Sequence, residues 1–324
     1  MRHGLRPHHT ALISLAMLAI PALDADVTLR YKTEVSFNPA LPPQMAQAMP
    51  GMEAALPKES SVQLKNGKGH SSSGANVSIC DFSKQEMTLL DNEGKRYATL
   101  PFAQFADAFA GAMPEMPSQP AGMMASMKPH FESKATGRTE TIQGIEGEEH
   151  EFAMTVDAPA MPNMPSGGPM MRMVMHFWRA RRSEVMRVPA VREVAGYNLF
   201  AAATMNPVSS MEKIFRQMPG FADNFAAVYK EMQSGGTPLI LRMHIDLFLP
   251  AMSALLKQTP GNGGTNGGLN PDAPFLEIRQ ELAELSTAAI PDTVFQIPEG
   301  YKPVPAAEIL SDMMAKAQAA YKKQ

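Results

Sequence analysis

The sequence has very little cysteine. Its 324 residues contain one cysteine, Cys80, so no disulfide can form within the chain. Cys80 ends the alternating segment Val77-Ser78-Ile79-Cys80, a pattern that predicts a buried thiol on a strand. Charge is nearly balanced, with 29 Lys and Arg residues against 32 Asp and Glu residues. Because the chain has no basic stripe, nucleic acid is not an expected partner.

The common signatures of hydrolases and nucleotide-binding enzymes are absent. The chain has no H-E-x-x-H motif, no cysteine pair and no G-x-S-x-G motif. The glycine-rich segment 261–268 is not followed by the Lys-Ser/Thr pair of a phosphate-binding loop, so we interpret it as a flexible loop. We therefore expect a protein that is not an enzyme and that has no cofactor.

The histidines also fail to form a metal-binding pattern. After the first 25 residues they are widely separated in the sequence, at His70, His130, His150, His176 and His244. This spacing predicts no zinc site. In the acidic segment 148–151, strand alternation places Glu149 and Glu151 on one side and His150 on the other. We interpret this segment as a solvated face and expect no metal there.

The first 25 residues have the order of a cleavable signal peptide. Arg2 and Arg6 precede an apolar run, Ala11–Ile20, which Pro21 ends. A basic start, a short apolar run and a small residue before polar sequence form the secretory pattern. The run is shorter than the roughly 20 residues that a membrane helix needs. We predict a signal peptide at 1–25, a periplasmic location and no integral membrane segment.

Alternating polarity predicts several half-buried strands. Between Val27 and Phe37 the odd-numbered positions are mostly apolar and the even-numbered ones polar, and segments 239–249 and 276–282 repeat the pattern. Two strand-like runs within 77–100 flank a turn, and 131–156 is expected to form three short strands joined by turns at Thr136-Gly137-Arg138 and Glu146-Gly147. Strands with one apolar side and one polar side predict an antiparallel sheet with one face in water.

Helices and loops complete the expected architecture. Apolar stripes with helical spacing predict helices after Pro101, after Pro207, within 225–232 and after Pro305, whereas 185–204 is ambiguous. Four segments rich in Met, Pro, Ala, Gly or Asn are predicted loop insertions. They lie near 38–58, 112–129, 157–170 and 259–274. Because they separate strand-like runs, residues 26–324 are expected to form a single domain.

Methionine is the compositional outlier, with 27 residues. Thioethers are soft ligands suited to Cu(I), so M-x-x-M pairs in the loops are one candidate metal site. The candidate pairs are Met49 and Met52, Met113 and Met116, Met124 and Met127, and Met161 and Met164. The alternative is that these loops provide adaptable apolar surface.

A second methionine pattern predicts a ligand-binding face. In segment 171–178, strand alternation places three methionines and one phenylalanine on the same side. Methionine can repack around varied apolar ligands, although the same face could simply pack beneath helices. The candidate ligand-binding residues are Met171, Met173, Met175, Phe177, Leu239, Leu241, Met243 and Ile245.

The end of the chain resembles a known superfamily. Segment 290–301 is similar to the closing P-D-x-x-F-x-x-P-x-G-Y signature of exported bacterial domains related to the lipoprotein carriers LolA, LolB and LppX. Segments 81–97 and 139–150 resemble the central hairpin and a strand pair of an uncharacterised, Met-rich branch. The resemblance implies an α+β fold: a strongly curved antiparallel sheet, an incomplete barrel, with helices packed on its concave face and long Met/Pro-rich loops.

Characterised members of that superfamily carry acyl chains or lipoproteins in their cavity. We therefore predict a non-catalytic periplasmic binding module for a hydrophobic ligand, namely a lipid, an acyl chain or a lipidated protein. Two alternatives stay open. One is Cu(I) handling by the M-x-x-M loops, and the other is a protein-interaction role in the cell envelope.

Overall fold

The computed structural model describes residues 26–41, 57–112, 129–157, 169–205, 239–251, 270 and 272–322. The predicted signal peptide, all the M-x-x-M methionines and most of the predicted loop insertions lie outside the described residues. The helices predicted after Pro207 and within 225–232 lie outside them as well.

Twelve strands form one open sheet within the described residues. Their order is β12-β6-β5-β4-β3-β2-β1-β11-β10-β9-β8-β7. The strands are β1 Val27–Phe37, β2 Glu59–Lys65, β3 Lys68–Ser73, β4 Asn76–Asp81, β5 Glu86–Asp91, β6 Arg96–Pro101, β7 Pro129–Ile142, β8 Ile145–Asp157, β9 Pro169–Ala180, β10 Ile240–Phe248, β11 Leu276–Ser286 and β12 Lys302–Pro303. Only β12 runs parallel to its neighbour, β6. The predicted open, largely antiparallel sheet is confirmed.

Four α-helices lie in the described part of the chain. They are α1 Phe102–Ala112, α2 Arg182–Arg187, α3 Pro189–Met205 and α4 Ala306–Lys322. The helices predicted after Pro101 and Pro305 are confirmed, and the ambiguous segment 185–204 is helical. Helices α1 and α4 pack on each other and on β6, and α3 contacts β1 and β2. None of the helices seen in these residues is long and apolar enough to cross a lipid bilayer.

The helices cover two cores, one beneath α3 with residues from β1, β2 and β7–β11, and one beneath α1 and α4 with residues from β4, β5 and β6. Beneath α3, Val191 and Val194 pack with Val27, Leu29 and Leu282. Beneath α1 and α4, buried side chains of β4, β5 and β6 form a second core that includes Cys80. Burial raises the pKa of the Cys80 thiol to about 11, against the opposing effect of a hydrogen bond with Tyr197. Cys80 is thus a protonated, inert core thiol near neutral pH.

The prediction for segment 131–156 was wrong in one respect. The structure has two long strands, β7 and β8, where three short ones were expected. Thr136–Arg138 forms a bulge in β7 instead of a turn, because pairing with β8 resumes beyond it at Thr139. The chain reverses at Gln143-Gly144, where both residues have positive φ, and not at the predicted turn Glu146-Gly147, which lies within β8.

Gly69 allows α3 to approach the sheet. A Cβ atom on Gly69 would lie 2.5 Å from the Tyr197 hydroxyl oxygen and 2.7 Å from a ring carbon. Tyr197 lies between β3, the strand of Gly69, and Phe82. The rings of Tyr197 and Phe82 pack edge to face with their centroids 4.6 Å apart. We therefore expect Gly69→Ala to lower the free energy of unfolding by about 1–3 kcal/mol through overpacking.

Gly111 provides the matched control for this prediction. It lies in α1, and a Cβ atom there would meet nothing within 4 Å. Gly111→Ala should therefore stabilise the protein by about 0.4–1 kcal/mol. Urea denaturation of both variants measures the difference, and equal effects would rule out close packing of α3 at Gly69.

Candidate functional site

Two rows of apolar side chains cross the β1–β11–β10–β9–β8 part of the sheet on one face. In the first row, strand register aligns Val35, Ile278, Ile245, Met175 and Phe152. These residues are directly opposite one another, so their side chains point to the same side. The first row thus contains no polar residue over five strands.

The second row lies two residues further along each strand. Register aligns Phe37, Leu276, Leu247, Met173, Met154 and Phe131, the last from β7. At about 4.8 Å per strand, six strands span roughly 24 Å. We call the residues of these two rows, together with Met171, Phe177 and Met243 on the same side, the apolar face.

The apolar face continues the side of β1 that α3 covers. Val27 and Leu29 pack under α3, whereas Val35 and Phe37, on the same side of the same strand, join Leu247 and Ile278. The described helices make their main sheet contacts with β1, β2, β5 and β6. No side chain of its two rows belongs to the core beneath α3, so the apolar face lies further along these strands than the part that α3 covers.

Six of the eight predicted ligand-binding residues belong to the apolar face. Met171, Met173 and Met175 are half-buried and pack with the buried Phe152, Met154, Val156 and Phe177. Met243 and Ile245 are half-buried and opposite Phe177 and Met175. Leu239 and Leu241 are separate from this group: they are 1% and 0% exposed and lie in the core beneath α3.

A charged group borders the apolar face beyond Phe177. The His150 ring stacks on Phe177 with centroids 5.9 Å apart. The buried Arg179 guanidinium donates to His150 and lies 3.8 Å from a Glu148 carboxylate oxygen. The apolar face thus has a charged margin at Arg179 and Glu148.

The opposite face of the same strands is polar. Register places His176 opposite His244, and His244 opposite Arg279. The next row has Asp246 opposite Glu277. We call this side the polar face. Its cavities within the described residues include one of about 500 Å³ lined in part by His244 and Arg279, and one of about 450 Å³ lined in part by His176 and Asp246.

Glu149 corrects the interpretation of segment 148–151 as solvated. Its side chain is completely buried. The Arg138 guanidinium donates to both carboxylate oxygens, and the Thr136 hydroxyl donates to Oε2 at 2.5 Å. His176 Nδ1 lies 3.2 Å from the other oxygen. The bulge in β7 brings Thr136 and Arg138 over this strand and thereby covers the carboxylate.

The structure also brings together histidines that the sequence separates. The ring centroids of His176 and His244 are 6.2 Å apart. His244, Asp246 and Glu277 offer ligand atoms that all lie within 4.8 Å of one another. Spacing along the chain does not indicate this proximity, because it results from the pairing of β9 with β10. The period-two pattern of β10 was the available signal, since it puts His244 and Asp246 on one side.

Comparisons with known proteins do not assign the chain to a family. No protein-family model matches it, and no curated protein matches it either. Among solved structures, it is similar to PNGF-II with a TM-score of 0.30 and 9% sequence identity. That similarity covers 90% of this chain and 33% of the PNGF-II chain, so this chain spans about a third of the length of PNGF-II.

Proposed function

We propose that this protein is a non-catalytic periplasmic carrier that binds the acyl chain of a lipid or of a lipidated protein on the apolar face. The observation that carries the proposal is the pair of all-apolar rows across five and six strands. Burying apolar surface is favourable by about 25 cal/mol per Å². A partly exposed surface of this width therefore supplies the main interaction that an acyl chain needs.

The composition of the apolar face also suits a flexible ligand. Met171, Met173, Met175 and Met243 are half-buried. The thioether side chain is unbranched and can adopt many rotamers, so it adapts to acyl chains of different length and unsaturation. A rigid face of Val and Ile would select one shape instead.

The carrier proposal includes the finer architecture implied by the family resemblance. In that architecture the sheet curves strongly, the helices lie on its concave side and the ligand occupies the space between them. It is supported by the position of α3, which packs on the same side of β1 as Val35 and Phe37 of the apolar face. The charged margin at Arg179 and His150 would adjoin the polar end of the ligand.

A fluorescent fatty-acid probe tests the proposal on the full chain. We expect saturable binding by the wild type, and native mass spectrometry of the protein isolated from the periplasm should detect a bound lipid. The double variant Met173→Gln/Met175→Gln should bind the probe at least about tenfold more weakly, because each buried amide without a partner costs about 1–3 kcal/mol.

Two control variants separate binding from folding. Met173→Leu/Met175→Leu keeps the face apolar and should retain binding. Val174→Gln introduces the same amide on the same strand but on the polar face, so it should leave probe affinity unchanged. Absence of probe binding and of co-purified lipid would contradict the proposal, as would equal weakening by the Met173→Gln/Met175→Gln and Val174→Gln variants.

A further inference from the structure

The polar face holds a group of side chains with the chemistry of a transition-metal site. His244 and Asp246 are two residues apart on β10 and point to the same side, and Glu277 is directly opposite Asp246 on β11. One ligand atom from each lies within 4.8 Å of the other two. On one tetrahedral Zn²⁺ ion with bond lengths of about 2.0–2.2 Å, ligand atoms are about 3.3–3.6 Å apart. Side-chain rotations that close these separations by up to about 1.5 Å would bring the three onto one ion.

Polar atoms in this group are also poorly satisfied. His244 Nε2 and Asp246 Oδ1 are buried and make no hydrogen bond with any described residue, although they are 2.9 Å apart. His176 Nδ1 is buried in the same way beside the Glu149 carboxylate. Buried polar atoms in native proteins nearly always have a partner. A cation shared by His244 and Asp246 would satisfy both of their atoms.

The surroundings would orient these ligands. The Arg279 guanidinium donates to Glu277 Oε2 at 3.1 Å, and the Ser36 hydroxyl donates to the same oxygen at 3.4 Å. The buried Glu149 carboxylate lies beside His176, whose ring neighbours His244. Hydrogen bonds of this kind fix ligand orientation in known metal sites. Arg279 also offsets part of the negative charge, so the net charge favours a single divalent ion.

From these contacts we propose that His244, Asp246 and Glu277 bind one Zn²⁺-class divalent ion. A mixed nitrogen and oxygen ligand set suits zinc and its neighbours, whereas Ca²⁺ and Mg²⁺ prefer oxygen alone. The two cavities of the polar face, of about 500 and 450 Å³, lie on either side of the group and give the ion a path to solvent. The site is independent of the apolar face, which is on the other side of the same strands.

Competition titration with a chromophoric zinc chelator tests the proposal, using full-length protein first stripped with EDTA. We expect one tight equivalent of Zn²⁺ in the wild type. His244→Ala and Asp246→Asn should each lower the zinc affinity by at least about tenfold, because even the loss of a residue that only hydrogen-bonds a metal ligand has an effect of about that size. Cobalt(II) substitution should give visible d–d absorption that is lost in His244→Ala.

His130 provides the matched control. His130 on β7 and Asp157 on β8 form a His–Asp pair in the same sheet, with His130 Nε2 3.1 Å from Asp157 Oδ2. This pair does not belong to the group of His244, Asp246 and Glu277. His130→Ala should leave zinc affinity unchanged, and far-ultraviolet circular dichroism should show that all variants fold. No tight equivalent in the wild type, or equal weakening by His130→Ala and His244→Ala, would overturn the proposal. His244→Ala should still bind the fluorescent fatty-acid probe at the apolar face. Failure of the zinc proposal can therefore be distinguished from failure of the acyl-chain proposal.

Discussion

Replacing Leu282 by alanine is expected to lower the free energy of unfolding by about 2–5 kcal/mol. Leu282 is 0% exposed and packs in the core beneath α3, where β11 meets β1. Pairing shifts by one residue at this point, with Tyr31 opposite Leu282 and Arg30 opposite Glu284. The side chain therefore fills space at an irregular junction between strands, and alanine would leave a cavity.

Urea denaturation followed by circular dichroism measures this effect. Met186 is the control, since it is 82% exposed on α2. Met186→Ala should change the free energy of unfolding by no more than about 0.5 kcal/mol. A loss below about 1 kcal/mol in Leu282→Ala would mean that the core beneath α3 is not packed as described.

The second large effect is expected at the buried carboxylate of Glu149. Removing one partner of a fully buried ion pair costs about 3–5 kcal/mol, because the other charge is left uncompensated. Arg138 is 65% exposed, so solvent screens this pair in part. We therefore expect Arg138→Met to destabilise the protein by about 2 kcal/mol, which is less than the cost for a fully buried pair.

A double-mutant cycle identifies the cause of that loss. Glu149→Gln removes the charge but keeps the side-chain volume, so the pair Arg138→Met/Glu149→Gln should be more stable than Arg138→Met alone. Denaturation of the two single variants and the double variant gives the coupling energy. Strictly additive losses would show that Arg138 does not compensate the Glu149 charge.

Local patterns in the sequence predicted much of the fold. Alternation of apolar and polar residues predicted β1, β10 and β11. Apolar residues with helical spacing after Pro101 and Pro305 predicted α1 and α4. No comparable pattern marks β2 and β3, and segment 68–73 (Lys-Gly-His-Ser-Ser-Ser) has no apolar alternation. Those strands form because each lies between two others, β3 between β2 and β4, which satisfy its backbone hydrogen bonds.

The sites depend on information that a single sequence does not contain. Met171–Phe177 alternates visibly, but the all-apolar rows exist only because β11, β10, β9 and β8 are neighbours in the sheet. His176 and His244 become neighbours for the same reason. Leu239 and Leu241 follow the same alternation as Met243, yet pairing shifts between Ile240 and Arg242 and the two leucines lie under α3. Register irregularities of this kind are not predictable from polarity alone.

The proposed function depends on the binding of an acyl chain to the apolar face. Photo-crosslinking with a diazirine-bearing fatty acid, followed by peptide mass spectrometry, tests both binding and location. We expect labelling of β8 and β9, including Met173 and Met175. Excess unlabelled fatty acid should suppress this labelling, and the double variant Met173→Gln/Met175→Gln should reduce it. Labelling that unlabelled fatty acid does not suppress, or labelling confined to the polar-face residues such as Val174, would contradict it.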